Sequence, residues 1–134
     1  MIRTLLALIL LTQAWGGLHA QSAADSIRRM HRKTPVPSTE TGVASYYHSK
    51  FQGRPTASGE KYDQEKMTAA HNRLPLGTRI KVTNLRNKRS VIVRVNDRLH
   101  HRNTRLVDLS RAAAAKLGYI GRGITRVRVE VLKD

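Results

Sequence analysis

Three segments of two-residue alternation constrain the fold of this chain more than any other feature. They are Arg79-Ile80-Lys81-Val82-Thr83, Ser90-Val91-Ile92-Val93-Arg94-Val95 and residues 125–131. Successive side chains of a strand point to opposite faces, so each segment predicts one buried face and one wet face. In the last segment Val127, Val129 and Val131 share one face, while Arg126, Arg128 and Glu130 share the other. Residues 84–88 suit a hairpin turn between the first two segments. One helix pattern stands out: Ser110 as N-cap, residues 111–117 as strong helix formers, and Gly118 as terminator. Several short strands against one or two short helices predict a mainly β domain, built as a small closed barrel.

The rest of the chain divides by texture. Residues 1–20 read as a signal peptide: Arg3, then the apolar run LLALILL at 5–11, then Leu18-His19-Ala20 as the exit. That run is too short to span a bilayer, which takes roughly 20 apolar residues. Residues 21–41 read as a flexible basic linker, because Pro35 and Pro37 forbid a continuing helix. The domain is then expected over 42–132. Residues 43–48 suit a strand, 52–66 an irregular loop around Gly53, Pro55 and Gly59, and 67–71 a short apolar segment.

Charge sets the class of partner. With 25 Lys and Arg against 9 Asp and Glu, the formal charge is +16, which favours anionic partners. Aromatic residues make up only 4%, too few for a base-stacking surface, and export removes most nucleic acid from reach. No nucleic-acid partner is expected. The chain has no cysteine, so neither a disulfide nor a lipidated cysteine is available. An exported periplasmic protein without a stable membrane anchor, acting as a monomer, is the expectation. No cofactor or metal is expected: Gly121-Arg122-Gly123 lacks the rest of a phosphate loop, and His100-His101 has no clear third ligand nearby.

Four titratable residues could carry chemistry, and each has a structural alternative. Asp97 follows a strand that should be buried and precedes Arg98; it could act in catalysis, close a turn, or pair with Arg98. Glu60 stands in the long loop and could simply be solvated. Asp108 lies before the helix and could serve its N-terminus. His71 ends an apolar segment and could be a satisfied, partly buried histidine. Residue patterns alone leave these four open.

Taken together, the blocks narrow the choice. Gly42-Val43-Ala44-Ser45-Tyr46-Tyr47, residues 51–60 (FQGRPTASGE), Thr68-Ala69-Ala70-His71, Leu74-Pro75-Leu76-Gly77-Thr78, Val82-Thr83-Asn84, Val95-Asn96-Asp97-Arg98 and residues 108–113 occur in this order. The chain resembles the rare lipoprotein A family of septal-ring lytic transglycosylases over roughly residues 42–132. The resemblance implies a six-stranded double-psi β-barrel. It implies a lyase that cuts peptidoglycan strands between N-acetylmuramic acid and N-acetylglucosamine and leaves a 1,6-anhydro end. The matching catalytic positions are Asp97, Glu60 and His71, with Asp108, Arg98 and Tyr47 expected to bind substrate. Asp97 is the expected acid/base, Glu60 a group orienting the sugar, and His71 a hydrogen-bond partner for a carboxylate. Two positions depart from the family pattern. Leu99-His100-His101 replaces Gly-Pro-Phe, and Tyr46-Tyr47-His48 replaces Trp-Tyr-Gly. The sequence ends at Asp134 without a glycan-binding repeat, so septal targeting by that route is not expected. The alternatives are a non-catalytic, expansin-like wall-binding module and an exported basic nucleic-acid binder.

Overall fold

The computed structural model describes residues 35–133. The expected signal peptide at 1–20, and the linker as far as residue 34, lie outside the described residues. Six strands close into a barrel in the order β1-β5-β2-β4-β3-β6. They are β1 (Thr39–Tyr46), β2 (Thr68–Ala70), β3 (Arg79–Asn84), β4 (Ser90–Asp97), β5 (Val107–Leu109) and β6 (Thr125–Val131). One helix, α1 (Arg111–Leu117), and one 3₁₀ turn (Ser49–Phe51) complete the domain. Closure leaves no unpaired sheet edge.

The alternating segments become β3, β4 and β6, and their registers keep the apolar faces together. Ile80 pairs with Val93 and Val131, and Val82 with Val91 and Val129. Ile80, Val82, Val93, Val95, Val127 and Val129 are all buried. The opposite faces carry Arg79, Ile92, Arg126 and Arg128 into solvent. β1–β5 and β2–β4 are parallel pairs, and the other four ladders are antiparallel. Parallel neighbours need long crossovers rather than tight turns.

α1 begins and ends as its sequence dictates. The Ser110 hydroxyl accepts from the Ala113 amide, and Gly118 closes the helix at φ +79°. Ala113, Ala114 and Leu117 face the core.

The first strand begins at Thr39, ahead of the expected boundary at Gly42. Thr39 pairs with Glu130 and Thr41 with Arg128, and the Val131 amide donates to the Ser38 carbonyl. The polar residues at 39–41 hide this strand from a hydrophobicity reading, because β6 supplies ladder bonds rather than apolar contact. At Gly42 a Cβ would stand 2.8 Å from the Cβ of Leu106, so this position requires glycine.

One buried polar residue ties three elements together. Asn84 is 1% exposed; its amide donates to the Leu117 carbonyl at 2.9 Å and its oxygen accepts from the Thr125 hydroxyl at 2.9 Å. It also accepts from the Arg86 amide, which shapes the β3–β4 turn. Removing one partner of a buried hydrogen bond costs about 1–3 kcal/mol. Asn84→Ala should therefore lower unfolding stability by about that amount in urea titration. A loss of less than about 0.5 kcal/mol would remove this residue as the tie between turn, helix and β6.

Candidate active site

The end of β4 is fixed by its parallel neighbour. Thr68 pairs with Arg94 and Ala69 with Val95, but Ala70 pairs with Asp97, so the register slips by one residue. The His71 amide then donates to the Asp97 carbonyl at 3.1 Å. This slip is a bulge, a device that re-aims a side chain at a strand end. It leaves the Asp97 side chain half-buried in an open cleft of about 600 Å³.

Both oxygens of Asp97 are occupied. Oδ2 accepts from the Tyr47 hydroxyl at 2.6 Å, and Oδ1 accepts from the Ala57 amide at 2.9 Å. Tyr47 follows β1, and its amide donates to the Leu109 carbonyl. Its ring packs against Tyr62 at 4.3 Å and Phe51 at 5.9 Å between centroids. Burial, and then the Asp97 carboxylate, push the Tyr47 phenol far above its ordinary range. Tyr47 therefore stays protonated across the working range of pH.

The loop carrying Ala57 is ordered by its own bonds. Gly53 N–H donates to the Tyr62 carbonyl, Tyr62 N–H to Arg54, and Ser58 N–H to the Asn96 carbonyl on β4. Thr56 donates through both amide and hydroxyl to the Glu60 carbonyl. The Glu60 side chain turns away to Arg94, with bonds of 2.7 and 3.1 Å, and accepts from Ser58. Those bonds, led by Arg94 and followed by Asn96, hold the Glu60 carboxyl down at about 2. Thr56 lines the cleft, whereas Glu60 does not.

Of the expected site residues, Asp97, Tyr47, Arg98 and Asp108 meet at the cleft. Arg98 forms no ion pair with Asp97. Its guanidinium donates to the carbonyls of His71 at 2.6 Å and Leu74 at 2.7 Å, clamping the turn after β2. Asp108 is held by Arg105 through bonds of 2.9 and 3.1 Å, while Ser110 rather than Asp108 caps α1. The His71 ring stands apart from the Asp97 carboxylate. Its Nδ1 accepts from the Arg73 and Leu74 amides, and its Nε2 faces Glu40 at 3.8 Å, beyond hydrogen-bond length. Burial lowers the His71 pKa, so the ring is neutral. Its link to Asp97 runs through the backbone.

Sequence reasoning missed four contributors. Glu40 sat in the expected linker, yet it bonds Arg73 and faces His71. Thr39, Glu40 and Thr41 are all polar, so no apolar alternation marked the strand. Arg105 gave no local pattern beyond a spacing of three residues to Asp108. Phe51 and Tyr62, which complete the aromatic wall beside Tyr47, lie in a loop whose path no periodicity predicts.

The family model described as lytic transglycolase matches residues 39–129. The chain belongs to that family. The endolytic peptidoglycan transglycosylase RlpA of Pasteurella multocida is 55% identical over 92 residues, covering 69% of this chain and 31% of that protein. The chain thus spans about a third of the length of that curated relative. Among solved structures, a Streptomyces papain inhibitor covers 75% of this chain and all of its own, with a TM-score of 0.60 at 24% identity; that likeness shows the fold alone. The apo expansin of Clavibacter michiganensis covers 72% of this chain and 51% of its own, with a TM-score of 0.57 at 26% identity. The lytic transglycolase domain is thus a double-psi barrel whose cleft holds Asp97.

The Glu60–Arg94 pair makes stability depend on acid. In the folded domain Glu60 stays ionised down to about pH 2, whereas the unfolded chain takes up this proton near 4.5. Its stabilisation is complete above pH 4.5 and is lost as pH falls toward 2. Urea midpoints of wild type and Glu60→Gln, measured from pH 6 to pH 2, should converge as pH falls. A constant gap across that window would rule the pair out as the source.

Proposed function

We propose that this domain is an endolytic peptidoglycan lytic transglycosylase, cutting the bond between N-acetylmuramic acid and N-acetylglucosamine with formation of 1,6-anhydro-N-acetylmuramic acid. One observation carries the reading: the cleft offers a single carboxylate that is not already neutralised. Among the described residues lining it, Asp97 and Asp108 are the carboxylates, and Arg105 engages both oxygens of Asp108. An ordinary glycosidase needs two working carboxylates, one for the leaving oxygen and one for water or the sugar carbon. A lytic transglycosylase needs fewer, because the 6-hydroxyl of the muramic acid is the nucleophile. The name of the Pasteurella relative supports the same reaction.

The geometry suits one acid used twice. Asp97 first gives a proton to the glycosidic oxygen as the bond to the anomeric carbon breaks. As carboxylate it then accepts the proton of the 6-hydroxyl, whose oxygen closes onto that carbon. The Ala57 amide can only donate, so Oδ1 stays the acceptor and the mobile proton belongs on Oδ2. Tyr47 serves both states: its hydroxyl donates to the carboxylate and accepts from the acid. Tyr47 is thus a positioning residue, where sequence reasoning expected a sugar contact. Glu60 is likewise a positioning residue, holding the 56–60 turn whose Ala57 amide reaches Asp97. His71 supports the Asp97 backbone rather than touching the sugar.

The protein works on the wall as an exported, periplasmic monomer without a stable anchor. No helix among the described residues is long and apolar enough to cross a membrane. A non-catalytic wall-binding role is the second reading, and the expansin likeness favours it. Mass spectrometry of purified glycan strands separates the two. Wild type should release anhydro-ended fragments and Asp97→Asn none, with an unchanged melting curve; no release by wild type would establish the second reading.

Kinetics of Tyr47→Phe test its assigned role. Losing a hydrogen bond to a charged group costs about 1.5–3 kcal/mol, or roughly 10–100-fold in rate. That loss should appear in kcat with KM nearly unchanged. A raised KM at constant kcat would return Tyr47 to sugar binding.

A further inference from the structure

Beside the Asp97 cleft lies a second cavity, of about 660 Å³. Leu99 and Arg105 line both, so a strand lying in the cleft has this cavity as its neighbour. Val43 on β1, Arg73 after β2 and Arg126 on β6 line other parts of it. The acid/base steps at Asp97 leave this cavity unused.

Its charge is one-sided. Arg73, Arg105 and Arg126 line it, and no carboxylate does. Arg73 bonds Glu40 through Nη2, and Arg105 bonds Asp108 through Nε and Nη2, so each keeps Nη1 for another acceptor. Arg126 is exposed and has no carboxylate partner among the described residues. Asn72 adds neutral donors: its Oδ1 accepts from the Leu99 amide at 2.8 Å, which leaves its side-chain N–H groups. His71, 2% exposed, also lines the cavity. Its Nδ1 accepts two amides, so Nε2 carries the ring hydrogen, and no acceptor takes it. Much of the remaining lining is apolar, with Val43, Leu99, Leu106 and Ile124, the last 53% exposed.

Such a lining suits an anion that carries a small apolar group. A neutral sugar would call for acceptors opposite its hydroxyls, and the charged groups here are all donors. A muramic residue bears a lactyl group, a methyl beside a carboxyl, and that carboxyl is either free or extended by an acidic peptide. We propose that the second cavity is a carboxylate-binding subsite for the strand held in the cleft, taking the lactyl or peptide carboxylate of a muramic residue. The inference rests on the lyase reading for the identity of the strand. Arg126 supplies the unpaired charge that selects the carboxylate, and Ile124 and Leu106 receive the methyl group.

Isothermal titration calorimetry on the full chain carrying Asp97→Asn tests this without any cleavage. The ligands are a tetrasaccharide of alternating N-acetylglucosamine and N-acetylmuramic acid, the same tetrasaccharide carrying stem peptides, and chitotetraose, which has the sugar backbone but no lactyl group. A carboxylate-bearing ligand should bind more tightly than chitotetraose. Adding Arg126→Gln should weaken it about fivefold, the upper range for an exposed ion pair, and leave chitotetraose unchanged. Lys116→Gln removes an exposed cation that lines neither cavity, and should change binding less than about twofold. Of the two muramic ligands, the one that loses more to Arg126→Gln carries the bound carboxylate. No preference over chitotetraose, or equal losses from Arg126→Gln and Lys116→Gln, would overturn the proposal. Failure of the lyase reading shows separately, as absence of anhydro ends from wild type whatever these affinities are.

Discussion

The parallel pairing of β2 with β4 is the contact on which the cleft depends. Three residues of β2 are enough, because all three are buried and held between β4 and β5. The slip after Ala69 sets Ala70 against Asp97, and the next amide, from His71, closes on the Asp97 carbonyl. Arg98 then clamps the turn that follows β2. The carboxylate is thereby aimed by main-chain bonds, which do not depend on the identity of the cleft's outer residues. This is how the domain can carry Leu99-His100-His101 beside Asp97 without losing the strand end. Leu99 is buried there, and the two histidines stack in the solvent at 4.3 Å between centroids.

The ionic arrangement around that carboxylate follows from the surplus of arginine. Glu60 and Asp108 each take a two-pronged bond from one guanidinium, a geometry that arginine supplies and lysine does not. Asp97 instead has a phenol and an amide, which are neutral. Arg94 holds Glu60 ionised, which makes it a poor proton donor. The contrast among these three acids is the physical reason for assigning the chemistry to Asp97.

Much of this was legible before the structure. Alternation located β3, β4 and β6 because each has one wet face, and Ser110 and Gly118 bounded α1 because caps are local. The ordered blocks pointed to Asp97, Glu60 and His71, and of these three Asp97 lines the cleft. Partnership was not legible. Arg98 beside Asp97 looked like an ion pair, yet the guanidinium reaches back to the carbonyls of His71 and Leu74. Nothing local to Tyr47 shows that its hydroxyl donates to a carboxylate 50 positions away. Glu40 was hidden because its strand is polar and is held by the β6 ladder. Short strands such as β5 leave too few residues for a period to show.

Asp97, the one carboxylate among the described cleft residues without an arginine partner, is proposed to serve a reaction in which water is not the nucleophile. Digestion of purified glycan strands in water enriched in oxygen-18 tests it directly. Attack by the 6-hydroxyl predicts anhydro-ended fragments carrying no heavy oxygen. Reducing ends labelled with oxygen-18 would show hydrolysis, and would contradict the account.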